Sequence, residues 1–187
     1  MIDDQVFQNQ SFSQKLDDKQ YEYCRFESCS FAEVNFFGVS FLECEFIDCD
    51  FSKANLNELS LKDCFFKNCQ MEQLRFDYLK PFLLEMKFED CQLNGSSFYQ
   101  QDINGISFKK CGLKKCDFAN CDLKKAQFDE CDLDMAIFEN TNLKEADLSS
   151  ALNYNIDPEN NKIEGASFHQ QGLEGLLTKH NIKVVNS

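Results

Sequence analysis

Eleven cysteines, two histidines and 32 carboxylates are the side chains of this 187-residue sequence best suited to chemistry. Thiols in such number could bind a soft metal or exchange disulfides, so their spacing is the first question. Cys24, Cys44 and Cys64 recur every twenty residues, as do Cys29, Cys49 and Cys69, and again Cys91, Cys111 and Cys131. No Cys-x2-Cys pair occurs, and His169 and His180 lie beyond the last cysteine, so zinc-site spacing is missing. Ala, Ser, Val and Thr take the same register, and free cysteine is itself a small buried hydrophobe. Thiols stacked on neighbouring strands have a Cα separation suited to a disulfide, but their parallel Cβ vectors sit further apart than a bridge prefers. The odd count also precludes complete internal pairing. Neither histidine has a nucleophile at motif spacing, and no Gly-rich phosphate loop, nucleophile elbow or zinc helix is present. The sequence therefore predicts no catalytic residue, no metal site, no cofactor and no enzyme. Metal or redox chemistry on the thiols would show as metal content in protein purified without chelator, and none is expected.

The 32 carboxylates against 19 Lys and Arg give a net charge of −13 and a pI near 4.5. That balance excludes direct nucleic-acid binding, which needs cations for phosphate, and disfavours an anionic membrane. It leaves open a basic protein partner. The start, Met1-Ile2-Asp3-Asp4-Gln5, is acidic, and no apolar run of membrane-spanning length follows. With eleven cysteines and no visible signal peptide, the expected compartment is a reducing cytoplasm. A content of 43% apolar residues, including 20 Phe, supplies a substantial core.

What positions these side chains is a five-residue period. From Tyr21 an apolar residue recurs at Phe26, Phe31, Phe36, Phe41, Phe46 and Phe51, and onward to Phe76. After a break the series resumes at Leu83 and runs through Phe88, Phe98, Phe108, Phe118, Phe128 and Phe138 to Leu148. The residue two before each is small or thin, such as Cys24, Val34, Ala54, Cys121 and Ala126. Five residues advance an α-helix by about 500°, which would scatter the Phe around its circumference. On a flat strand, an odd step sends successive Phe to opposite faces. A chain that turns a corner every five residues keeps both apolar positions inside. The twenty-residue cysteine spacing then makes four sides per turn, and coils about 4.8 Å apart stack the thiols in ladders. Residues 20–152 make about six and a half coils, roughly 30 Å tall by that spacing.

Ala126-Gln127-Phe128-Asp129-Glu130, Ala146-Asp147-Leu148-Ser149-Ser150 and the Cys variant Cys121-Asp122-Leu123-Lys124-Lys125 resemble the A(D/N)LXX pattern of the pentapeptide-repeat family. The resemblance covers residues 20–152. It implies an all-β, right-handed quadrilateral parallel β-helix, here followed by a short C-terminal helix.

Departures from the period mark the ends and one interruption. Phe7 and Phe12 keep a five-residue step in another phase, so residues 1–19 are expected to cap the N-terminus. Two residues are inserted in the stretch 77–82, where Pro81 cannot donate a ladder hydrogen bond; Tyr78, Leu79 and Phe82 are the candidate loop contacts. After Ala151 the pattern fails. Asn153–Asn161 reads as a turn-rich connector broken by Asp157-Pro158, and Ile163 and Phe168 restore one irregular coil. Leu173, Leu176, Leu177 and His180 then have helical spacing, and Ile182, Val184 and Val185 suggest a short strand. Residues 153–187 are thus a C-terminal cap, needed because an open solenoid end exposes backbone and apolar surface. Its candidate dimerisation residues are Leu173, Leu176, Leu177, Ile182 and Val184. The remaining candidates are acidic: Glu43, Glu45, Asp48 and Asp50 on an early coil, and Asp117, Asp122, Asp129, Glu130, Asp132, Asp134 and Glu139 on later ones. Lys109, Lys110, Lys114, Lys115, Lys124 and Lys125 fall on three sides of one coil, so the negative field is patchy.

The chain is similar to the family branch that includes Qnr-type quinolone-resistance proteins and protects DNA gyrase and topoisomerase IV. That branch implies an acidic rod, dimeric through a C-terminal helix, mimicking B-DNA. A dimer with twice the charge of −13 over about 70–80 Å has roughly one charge per 3 Å, against one per about 1.7 Å in duplex DNA. The expected function is therefore non-enzymatic protection of a type II topoisomerase from quinolones or gyrase-poisoning toxins. The alternative is a structural or scaffolding module with an unrelated protein partner, since one fold hosts many roles.

Overall fold

A side of five residues with two inward apolar positions cannot bury them alone, and stacking like sides does so. The structure, a computed structural model, describes residues 1–13, 16, 19–81, 84–183 and 185. The chain winds into the right-handed quadrilateral β-helix, with about eight turns. Wall 1 is a nine-stranded parallel sheet: Val6–Gln8, Arg25–Glu27, Glu45–Ile47, Cys64–Lys67, Met86–Glu89, Ser107–Lys109, Gln127–Asp129, Asp147–Leu148 and Ser167–Phe168. Walls 2 and 3 follow it in each turn and are tied by single parallel bridges, such as Ser30 to Asp50 and Asp117 to Ile137. Wall 4 closes the square and begins as a four-stranded sheet of Ile2–Asp3, Gln20–Glu22, Ser40–Leu42 and Ser60–Lys62.

The interior is a set of aromatic columns. On wall 1, Phe26, Phe46, Phe66, Phe88, Phe108 and Phe128 stack with centroids 5.0, 4.8, 5.0, 5.3 and 5.5 Å apart. On wall 3, Phe76, Phe98, Phe118 and Phe138 stack at 4.5, 5.2 and 5.3 Å. Rings on neighbouring walls meet edge to face, as Phe98 and Phe108 do at 5.8 Å. Burying each ring contributes about 1.5–3 kcal/mol, and favourable ring geometry adds about 0.5–1.5 kcal/mol per pair. The ring columns fix the register that every outward residue inherits.

Two turns depart from twenty residues. Phe7 pairs with Phe26 and Ile2 with Tyr21, a turn of nineteen, so the N-terminal stretch is itself a stacked layer. Phe66 pairs with Phe88, a turn of twenty-two that absorbs the insertion. At the other end, stacking continues past residue 152: Tyr154 and Ile156 are buried, and Leu148 pairs with Phe168. The supposed connector is therefore part of the coil. Leu173 and Leu176 lie on a 3-10 turn, Gln170–Leu176, and Leu177 joins it to a second, Thr178–His180, where the spacing predicts an ordinary helix. Ile182, Lys183 and Val185 form no strand.

Most corners place the second residue after the central one in the left-handed backbone region, Tyr78 and Ser150 being exceptions. Glycine fills it at Gly38, Gly95, Gly105 and Gly165, but most corners use ordinary residues, among them Met135 at φ 59°. An L-residue there is disfavoured by about 1–2 kcal/mol, and Met135 is 64% exposed, so its side chain adds little packing. Met135→Gly is expected to stabilise the protein by about 1 kcal/mol, seen as a higher denaturant midpoint at unchanged slope.

Candidate functional site

The structure distributes the candidate acids around the rod. Glu43 and Glu45 flank the corner between walls 4 and 1, and Asp48 and Asp50 the corner between walls 1 and 2. Asp129, Glu130 and Asp132 occupy that second corner four layers further on, and Asp134 lies beside the next corner, at Met135, between walls 2 and 3. Asp117 and Glu139 lie on wall 3, and Asp122 on wall 4. Several are already engaged. Glu45 pairs with Arg25 at 3.0 Å, Asp48 accepts from Asn68 at 2.6 Å, and Asp50 accepts from the Ser52 amide at 2.8 Å. Asp129 accepts from the Ser150 hydroxyl at 2.9 Å. Asp122 accepts from the Lys124 amide and from Asn142, each at 3.0 Å.

The basic residues occupy the same layer on walls 1, 2 and 4 and reach acids one layer on. Lys114 meets Asp132 at 3.0 Å, and Lys124 and Lys125 meet Glu145 at 3.6 and 3.7 Å. Burial alone would raise the Asp132 carboxyl, but hydrogen bonds from Asn153 and Lys114 outweigh it and hold the group below its ordinary value. Hydrogen bonds lower Asp147, from Ser149, and Asp157, chiefly from Lys179. Each such carboxyl has a folded-state value below its unfolded one. Its contribution to stability is present above the unfolded value near pH 4 and is lost as pH falls through the folded one. Stability is therefore expected to be flat from pH 7 to about 5 and to decline below about pH 4, measurable by denaturant titration across pH.

The phase break differs from the sequence expectation. Leu79 is 3% exposed and occupies the inward slot five residues after Leu74, so it belongs to the core and not to a contact loop. The two extra residues enter after it. Tyr78 is half exposed, with the Arg75 guanidinium 4.4 Å above its ring. Phe82 lies outside the described residues.

At the C-terminus, Leu173, Leu177 and Ile182 are exposed, while Leu176 packs partly against the core. Val184 lies outside the described residues. The turn docks through Tyr154, whose ring and backbone lie against Gly172 and Gly175. A groove of about 430 Å³ separates Ser149–Tyr154 from His169–Gly175. Two of its polar side chains are used structurally. His169 Nδ1 accepts from the Gln171 amide at 3.1 Å, and the Ser150 hydroxyl donates to Asp129 and accepts from the Glu130 amide. No His169–hydroxyl hydrogen bond forms among the described residues.

All eleven cysteines are free and buried. The twenty-two-residue turn places Cys91 over Cys69, so Cys29, Cys49, Cys69, Cys91, Cys111 and Cys131 form a single file. The spacing rule had divided these into two ladders because the insertion hides their continuity. Desolvation pushes the thiols of Cys44, Cys116 and Cys121 up to about 12, the opposite of an activated nucleophile. Among the described residues, no three His, Cys, Asp or Glu side chains converge as a metal site would need. Nor is any described helix long and apolar enough to cross a membrane.

No curated protein sequence matches the chain. Among solved structures it is similar to two trypsin-treated forms of QnrB1, a plasmid-mediated fluoroquinolone resistance protein. One superposes with a TM-score of 0.67 over 96% of this chain and 97% of QnrB1. The other gives 0.60 over 98% and 99%. Both are 12% identical, a likeness of fold alone. A model described as a pentapeptide repeat region matches residues 39–115, and one of pentapeptide repeats in eight copies matches 121–151, together more than half the chain. With the five-residue side, the four-wall turn and the inward columns, these matches make the chain a member of the pentapeptide-repeat family.

Proposed function

We propose that this protein is a non-enzymatic, DNA-mimicking rod that binds a type II topoisomerase, DNA gyrase or topoisomerase IV, and protects it from quinolones or gyrase-poisoning toxins. One observation carries the reading: a chain of net charge −13 is wound into a rod whose eleven thiols are buried in the core and whose carboxylates are spread over its outside. Such a molecule acts through its surface. The likeness to QnrB1 along nearly the whole of both chains supports the choice of target class, because that protein confers fluoroquinolone resistance. Two copies joined through Leu173, Leu177 and Ile182 would double the length and the charge. The rod's carboxylates would meet basic residues that ordinarily hold DNA, with the field steering encounter. A cytoplasmic location follows from that target and suits eleven reduced thiols.

Competition tests it. Gyrase holding a fluorescent duplex is titrated with the protein at two salt concentrations. The proposal expects displacement of the duplex that weakens as salt rises, since the contact is electrostatic. Undiminished duplex binding at saturating protein contradicts it.

A further inference from the structure

The four walls are not equivalent in charge. Lysines line wall 1 (Lys67, Lys87, Lys109, Lys110), wall 2 (Lys53, Lys114, Lys115) and wall 4 (Lys62, Lys124, Lys125, Lys144, Lys162). Among the described residues, wall 3 includes 34–38, 54–58, 74–78, 96–100, 116–120, 136–140 and 156–160, and none of these is a lysine. Its own cation is Arg75, which is held by both carboxylate oxygens of Asp77 at 2.8 and 2.6 Å and lies over Tyr78; at its two ends Lys19 lies 5.8 Å over the Phe37 ring and Lys179 pairs with Asp157 at 2.8 Å. Glu58, Asp117 and Glu139 make no ion pair among the described residues.

The same wall gathers exposed apolar groups. Phe37 is 53%, Tyr78 49%, Tyr99 40% and Ile137 43% exposed. Among the described residues, no other wall carries more than two such groups. From the layer of Phe37 to that of Ile137 is five steps, about 24 Å.

We propose that wall 3 is the docking face of this rod, and that its occupant is a protein surface presenting lysine and arginine. A basic surface approaching walls 1, 2 or 4 meets lysines; along wall 3 it meets acids and aromatic rings. Guanidinium and ammonium groups gain from aromatic faces, and aromatic residues with few lysines are the composition of protein-interface centres. Charge complementarity selects this occupant over a second copy, which carries a net charge of −13, and over nucleic acid. The identity of that occupant as a type II topoisomerase rests on the reading above; the choice of wall does not.

The test separates the two. Glu58→Lys with Glu139→Lys on wall 3 changes the charge as much as Asp129→Lys with Glu130→Lys at the corner of walls 1 and 2. Affinity for gyrase is measured for both pairs, and for Tyr78→Ala with Tyr99→Ala, which leaves charge unchanged. The wall 3 pairs are expected to weaken binding about tenfold or more, and the corner pair less than threefold. Loss in the corner pair with wall 3 unaffected overturns the face while leaving the target intact. In parallel, a nitroxide-labelled oligolysine peptide is added to the isotope-labelled protein. Amides near residues 58, 117 and 139 are expected to show the largest relaxation enhancement. If gyrase binds no form of the protein, this second measurement decides: enhancement centred on wall 3 upholds the face without the target, and enhancement spread evenly or centred on Glu130 overturns it.

Discussion

Phe98→Ala is expected to remove about 4 kcal/mol of stability, within the 3–5 kcal/mol range for a buried Phe truncated in a core. Phe98 is fully buried, stacked between Phe76 at 4.5 Å and Phe118 at 5.2 Å, with Phe108 against its edge at 5.8 Å. Its neighbours are held by backbone ladders above and below, so the cavity cannot collapse. Each layer of a solenoid touches only the next, so the loss also uncouples the halves of the rod. Urea unfolding followed by circular dichroism should show a lower midpoint and a broader transition. Tyr99→Ala, one residue along and pointing outward, should change stability by less than about 0.5 kcal/mol. Equal effects at the two positions would contradict the inward column.

Gly175→Ala should be the most damaging change outside the coils, at about 2–3 kcal/mol. A Cβ there would sit 2.1 Å from the Tyr154 carbonyl oxygen, a backbone atom that cannot swing aside. Gly175 also accepts the Ile156 amide at 2.9 Å. The turn must lift, and with it the pairing of Lys179 to Asp157 at 2.8 Å. Since Leu173 and Leu177 are presented by this turn, the variant should also lose the dimer proposed above. Light scattering would then give the monomer mass while the coil spectrum persists. A variant with wild-type melting and mass would show that the terminal turn is not docked through Tyr154.

The coil was legible in the sequence because its code is local: each side carries its own small and large inward residue, and the cysteine interval counts the sides. Interruptions were harder. The insertion was visible as a step of seven from Phe76 to Leu83, but its place was not, and Leu79 looked like a loop residue. The inward slots at Ala54, Leu59, Cys64, Cys69 and Leu74 continue in phase to Leu79, a signal that the large central residues obscure. Likewise the turn of nineteen at the N-terminus and the single file of six thiols depend on which strands pair, and pairing across an irregular turn is set by three-dimensional register. At the C-terminus, helical spacing at Leu173, Leu176 and Leu177 was real, but close packing of Gly172 and Gly175 on Tyr154 accompanies tighter 3-10 turns. The acids were identifiable as outward. Which wall lacked lysine became apparent only when layers separated by nineteen, twenty and twenty-two residues were superposed.

The claim that matters most is that this surface stands in for DNA on a type II topoisomerase. Gyrase supercoiling of relaxed plasmid, inhibited by a quinolone, is run with and without the protein. Restored supercoiling at protein concentrations stoichiometric with gyrase, and fewer cleaved plasmids, are the predicted result. Unchanged inhibition together with no effect of the protein on the drug-free reaction would contradict the account.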